Sequence, residues 1–98
     1  MKGFDNMKNV NSVNELKNLL TEENVKNCRY VEFTIFDNDM NYLSVFFSHF
    51  NNPCRKLVCC DVISDDEIVN NYYEYTLNDL IRQIVIDFEM EELEQFYN

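Results

Sequence analysis

Residues 29–50, RYVEFTIFDNDMNYLSVFFSHF, decide the fold. In the first part Val31, Phe33 and Ile35 alternate with Tyr30, Glu32 and Thr34. Successive side chains of a strand point to opposite faces, so a period of two predicts a half-buried strand with the first set inward. Asp37 to Asn41 supplies polar turn residues, and alternation resumes from Tyr42 to Phe50, with Leu43, Val45 and Phe47 set against Ser44 and Ser48. An antiparallel hairpin is predicted. Its turn begins like a calcium loop, D-x-D-x-N, but Tyr42 stands where the sharp bend needs glycine and Ser48 where a bidentate glutamate belongs. A plain turn is expected, without calcium.

Downstream of the hairpin, Asn51, Asn52 and Pro53 mark a turn. Lys56 to Ile63 is rich in β-formers and places Val58, Cys60 and Val62 on one face, a third strand. Residues 64–75 open on turn chemistry, and Tyr72 to Tyr75 fit either a short edge strand or an ordered loop, so no regular element is assigned there. Thr76 and Asp79 have capping-box spacing, and Leu77, Leu80, Ile81, Ile84, Val85 and Phe88 form a wide apolar stripe after them, the clearest helix of the chain. Met90, Leu93 and Phe96 extend that pattern either straight or into a shorter final turn.

Upstream, an Asn-rich start precedes Ser12, which stands three residues before Glu15 in the same capping spacing. Val13, Leu16, Leu19 and Leu20 then fall on one helical face, and the pattern fades between Thr21 and Asn27. The expected architecture is α+β: one domain over residues 1–98, with a small three-stranded antiparallel sheet and an N-terminal and a C-terminal helix packed on it.

Ninety-eight residues, 46% of them hydrophobic and with one glycine and one proline, suit one folded domain with a modest core. Apolar runs such as Val45 to Phe47 are far shorter than the ~20 residues of a membrane span. The opening MKGFDNMKNV lacks the continuous apolar stretch of a signal peptide, so a cytoplasmic protein with reduced cysteines is expected. Vicinal Cys59 and Cys60 on a strand point to opposite faces and are poor partners for each other. Cys54 and Cys59 have a loose C-x₄-C zinc spacing, with His49 and Cys28 as conceivable further ligands, but no second close pair follows. No metal is expected.

Catalytic motifs are missing. His49 and Cys54 lack a third residue or a nucleophile motif, and the lone Gly3 makes no phosphate loop. The reading is a non-enzyme without cofactors.

Charge carries more information. The net charge is −10. Through Cys60, seven acids balance seven lysines and arginines; from Asp61 onward, eleven acids face Arg82 alone. Such a field repels nucleic acid and attracts a basic partner surface; the plainer alternative is a solvated acidic face that keeps the protein soluble. Only Arg29, Arg55 and Lys56 are candidates for a basic patch, so direct nucleic-acid binding is not expected. Asp65, Asp66 and Glu67 form a solvated turn, and NNYYEYTLNDL at 70–80 sets Tyr72 and Tyr73 beside Glu74 and Asp79. Amphipathic rings among carboxylates suit an interface against a basic, partly apolar surface, and spaced carboxylates can take the place of phosphates in a nucleic-acid channel; the rival reading is that two of the rings cover the end of the core with their hydroxyls in water. Those seven residues are the expected contacts, with Glu89, Glu91, Glu92 and Glu94 as a secondary acidic face.

This combination resembles the small acidic anti-CRISPR proteins of phages and mobile elements, whose members include a helix, a three-stranded sheet and further helical structure. LNDLIRQI at 77–84 and EQFYN at 94–98 are pieces of a kind found in that group. The resemblance implies a protein inhibitor whose acidic residues occupy the DNA-binding surface of a CRISPR effector nuclease. The adjacent tyrosines flanked by carboxylates also resemble the immunity proteins of nuclease toxins, although the best-known of those are all-helical. A regulatory homodimer, self-associating through Phe46 and Phe50, is a third expectation.

Overall fold

The computed structural model of the chain describes residues 7–48 and 57–90. Its elements run β1 (Lys8–Val10), α1 (Val13–Leu19), α2 (Glu22–Cys28), β2 (Tyr30–Ile35), β3 (Tyr42–Ser48), β4 (Leu57–Ser64), β5 (Glu67–Glu74) and α3 (Leu77–Asp87). Among the described residues the five strands form one sheet in sequential order, β1 parallel to β2 and the rest antiparallel. The α+β class is as expected. The three-stranded sheet is not: a strand is added at each edge, and the N-terminal helix is two short helices.

The three expected strands supply the centre. Phe33 lies opposite Leu43, which lies opposite Val62, and Val31 lies opposite Val45, which lies opposite Cys60. These side chains are buried with Val13, Leu16, Leu20 and Val25 from the N-terminal helices and Leu80, Ile81, Ile84 and Val85 from α3 in one apolar cluster. All three helices therefore cover the same face of the sheet. The opposite face has no helix over it among the described residues.

Each helix begins where a side chain satisfies an exposed amide. Ser12 accepts from the Glu15 N–H, Thr21 from Asn24 and Thr76 from Asp79, each at 3.1 Å. The cap at Thr21 is what divides the expected single helix, and Asn24 Nδ2 donates back to the Leu19 carbonyl at 2.9 Å, closing the corner. At the other end, α3 stops in a Schellman arrangement: the Met90 N–H donates to Val85 O at 2.9 Å and the Glu89 N–H to Ile86 O at 3.2 Å, with Glu89 at φ 55°. Met90 is buried where that motif places its apolar contact. Leu93 and Phe96 lie outside the described residues.

β1 is held by more than its three residues. The Phe36 N–H donates to Val10 O at 2.9 Å, and Asn9 Oδ1 accepts both the Asp37 N–H at 2.6 Å and the Thr34 hydroxyl at 3.1 Å. Phe36 and Asp37 both have φ 56°, and the Asn38 N–H donates to Ile35 O at 3.1 Å, a turn of the primed class that matches strand twist. At the far edge β5 pairs with β4 through a two-residue turn, Asp65 and Asp66, at φ 54° and 65°. A bulge leaves Val69 without a partner between Val62–Asn70 and Ile63–Ile68.

Six described residues that are not glycine sit at positive φ: Arg29, Phe36, Asp37, Asp65, Asp66 and Glu89. At Glu89 the backbone wants glycine, and the side chain is exposed. Glu89→Gly should raise stability by about 1 kcal/mol through relief of the left-handed penalty. Urea unfolding checks this; an unchanged or lower midpoint would mean that Glu89 contributes an interaction larger than the strain it carries.

Candidate functional site

The structure divides the expected contact residues among three places. Asp65 and Asp66 form the β4–β5 turn and Glu67 begins β5, all exposed. Tyr73 lies opposite Cys59 on the helix-free face and is half exposed, whereas Tyr72 lies opposite Cys60 on the helix-covered face and packs against the core. Glu74 is partly buried opposite Val58. Asp79 lies in the opening turn of α3 and pairs with Arg82 at 3.8 Å, and Glu89 follows the helix's C-cap, Phe88. Glu91, Glu92 and Glu94 lie outside the described residues, as do His49, Phe50, Cys54, Arg55 and Lys56.

Tyr72 is a bridge between sheet and helix. Partial burial, then a hydrogen bond to the Asp87 carboxylate, push its hydroxyl well above the usual 10.0. Asn70 Nδ2 also donates to the Tyr72 hydroxyl at 3.4 Å. The ring thus fixes β5 to α3, and its neighbour Tyr73 is the one of the pair presented outward.

The turn acids have a backbone role as well. Aspartate tolerates the left-handed conformation better than most residues with a Cβ, so Asp65 and Asp66 suit a tight turn that the chain builds without glycine. Alanine there would add strain while removing charge, and amide or glycine replacements separate the two effects.

The helix-free face carries side chains that the acid-and-tyrosine pattern did not single out. Three rows cross the sheet. Tyr30, Phe46, Cys59 and Tyr73 are successive partners along one; Glu32, Ser44, Asp61 and Asn71 along the next; Tyr42, Ile63 and Ile68 along the third. Tyr30, Tyr73 and Ile68 are more than half exposed. The signal for this face was present in the alternation itself, since Tyr30, Glu32 and Thr34 are the positions between the buried set of β2. Burial, then the carboxylates of Glu32 and Asp66, raise the Tyr42 hydroxyl above its usual 10.0, so the acidic turn and this face share one field.

The vicinal cysteines point to opposite faces as the strand requires, and both are buried. Burial, reinforced by Asp61, pushes both thiols up, Cys60 the further. Such thiols are poor nucleophiles and poor metal ligands. No group of three potential metal ligands comes together among the described residues, and none of their helices is long and apolar enough to cross a membrane.

No protein-family model, curated protein or solved structure matches the chain.

The buried thiol and the bridging phenol give stability an alkaline limit. Unfolding lets Cys60 ionise near 9.0 and Tyr72 near 10.0, whereas folding keeps both protonated, so the unfolded chain binds fewer protons as pH rises. Stability should be level from pH 7 to 8 and fall above pH 9, by about 1.4 kcal/mol per pH unit for a fully shifted group. Urea midpoints across pH 7 to 10.5 check this, with Cys60→Val flattening the first part of the decline and Tyr72→Phe the later part.

Proposed function

We propose that this chain is a non-enzymatic inhibitor that binds a basic nucleic-acid site on another protein, and that the target is a CRISPR effector nuclease. One observation carries the reading: the β4–β5 hairpin presents Asp65, Asp66, Glu67 and Tyr73 at its surface, with no lysine or arginine between Lys56 and Arg82 to neutralise them. Among the described residues the acids of this hairpin make no ion pair, while Arg82 is taken up by Asp79. Carboxylates left in solvent lose little by meeting a cationic cleft and give long-range steering toward it. The target class comes from the resemblance to small acidic anti-CRISPR proteins, and the mode of action is occupation of the site where DNA or RNA would lie. Tyr72 supports the hairpin from behind and is not a contact in this reading.

A competition assay on purified CRISPR nucleases at low and moderate salt tests it. The expected result is loss of target binding for one nuclease, weakened as salt rises. A variant with Asp65→Asn, Asp66→Gly and Glu67→Gln should bind that nuclease about tenfold more weakly, mostly through slower association, with a thermal midpoint unchanged or raised. Inhibition of no nuclease at either salt would overturn the target; full affinity in the variant would remove the hairpin from the interface.

A further inference from the structure

We propose that the helix-free face of the sheet is a docking surface for an arginine-bearing segment of a protein partner, with the guanidinium seated over Ser44 between Glu32 and Asp61. The inference rests on the reading of the chain as a binder of basic protein surfaces, and it adds to the hairpin a second contact on this face.

Among the described residues no helix covers this face, since α1, α2 and α3 all lie on the other side of the sheet. Its strand partners place an aromatic row, Tyr30 to Phe46 and on to Tyr73, on one side of the Glu32–Ser44–Asp61 row. Tyr42 and Ile63 lie on the other side. The result is an acidic stripe between two apolar ones, with no lysine or arginine at any strand position that shares this face. Tyr30 and Phe46 place aromatic rings beside the stripe, and guanidinium stacks on such rings more readily than ammonium does.

Geometry favours arginine further. Glu32 and Asp61 flank Ser44 on adjacent strands, so their backbones stand about 10 Å apart, two strand spacings. Ser44 is buried, a floor with short side chains at its centre and long ones around it. A planar fork with donors on both edges can reach a carboxylate on each side, which a compact ammonium cannot do. The other occupants fit worse. Phosphates would meet the carboxylates at the middle of the face. A second copy apposed by a two-fold axis would bring two pairs of like charges into a drying interface.

The test uses the full-length ¹⁵N-labelled chain and two ten-residue probes, one alternating arginine with glycine and one alternating lysine with glycine. The arginine probe should shift the amides of Glu32, Ser44 and Asp61 most and bind about tenfold more tightly than the lysine probe. Glu32→Gln with Asp61→Asn should weaken arginine-probe binding about tenfold, whereas Asp65→Asn with Glu67→Gln, an equal change of charge, should alter it less than twofold. Should the first pair perturb folding, as its amide spectrum would reveal, Tyr30→Ala serves instead and should weaken the probe several-fold. Equal losses from both charge pairs, shifts confined to residues 65–67, equal binding of the two probes, or no binding would each overturn the inference. None of these readouts involves a nuclease, so they stand apart from the functional reading. Conversely, a nuclease inhibited equally well by the Glu32/Asp61 variant would leave that reading in place and remove this one.

Discussion

Phe33 is the contact around which the molecule is organised. It sits in the middle of β2, opposite Lys8 of the parallel strand on one side and Leu43 of the antiparallel strand on the other, and its ring is fully buried beneath the helices. With Leu16, Leu43, Val45, Cys60, Leu80 and Ile84 it forms the part of the core that no solvent reaches. Because side chains alternate along a strand, directing Phe33 inward also directs Glu32 to the opposite face. The composition of the exposed face is therefore a consequence of how the core is filled: a one-residue slip of β2 would exchange the two.

That coupling explains which parts of the fold could be read before the structure. β2, β3 and β4 are legible because each alternates over six or more residues with one face buried. β1 is not, because Lys8, Asn9 and Val10 are too few to establish a period, and what holds them is the Asn9 carboxamide and backbone pairing across 25 residues of chain. β5 escapes for the opposite reason. As an edge strand it buries little on either side, so Ile68, Val69, Tyr73 and the asparagines show no contrast between faces. The break between α1 and α2 was written in Thr21 and Asn24, a cap inside a run of helix formers. The end of α3 lacked its usual glycine.

The candidate site was legible in chemistry and only partly in place. The acids of the turn do project into solvent, and one tyrosine of the adjacent pair does as well. Periodicity could not say which, because a strand separates Tyr72 from Tyr73 by half a turn, and the choice follows from their opposite numbers on β4, Cys60 inside and Cys59 outside. Glu32 and Asp61 lie almost thirty residues apart in sequence, and only the pairing of β2, β3 and β4 makes them neighbours across Ser44. Surface charge in this protein is thus arranged in two ways, locally by a turn and non-locally by register, and the two meet at Tyr42.

The bulge at Val69 bears on what the β5 edge can pair with. Among the described residues β5 is the last strand of the sheet, with a rim of backbone donors and acceptors beside two exposed aliphatic side chains, a combination that invites stacking of strand upon strand into fibres. The extra residue falls at those aliphatics, interrupting the straight run of hydrogen-bonding groups where a neighbouring chain would adhere best, and the carboxylates of the turn stand close by. An irregularity of one residue at an edge strand thus works against continuous pairing with another strand.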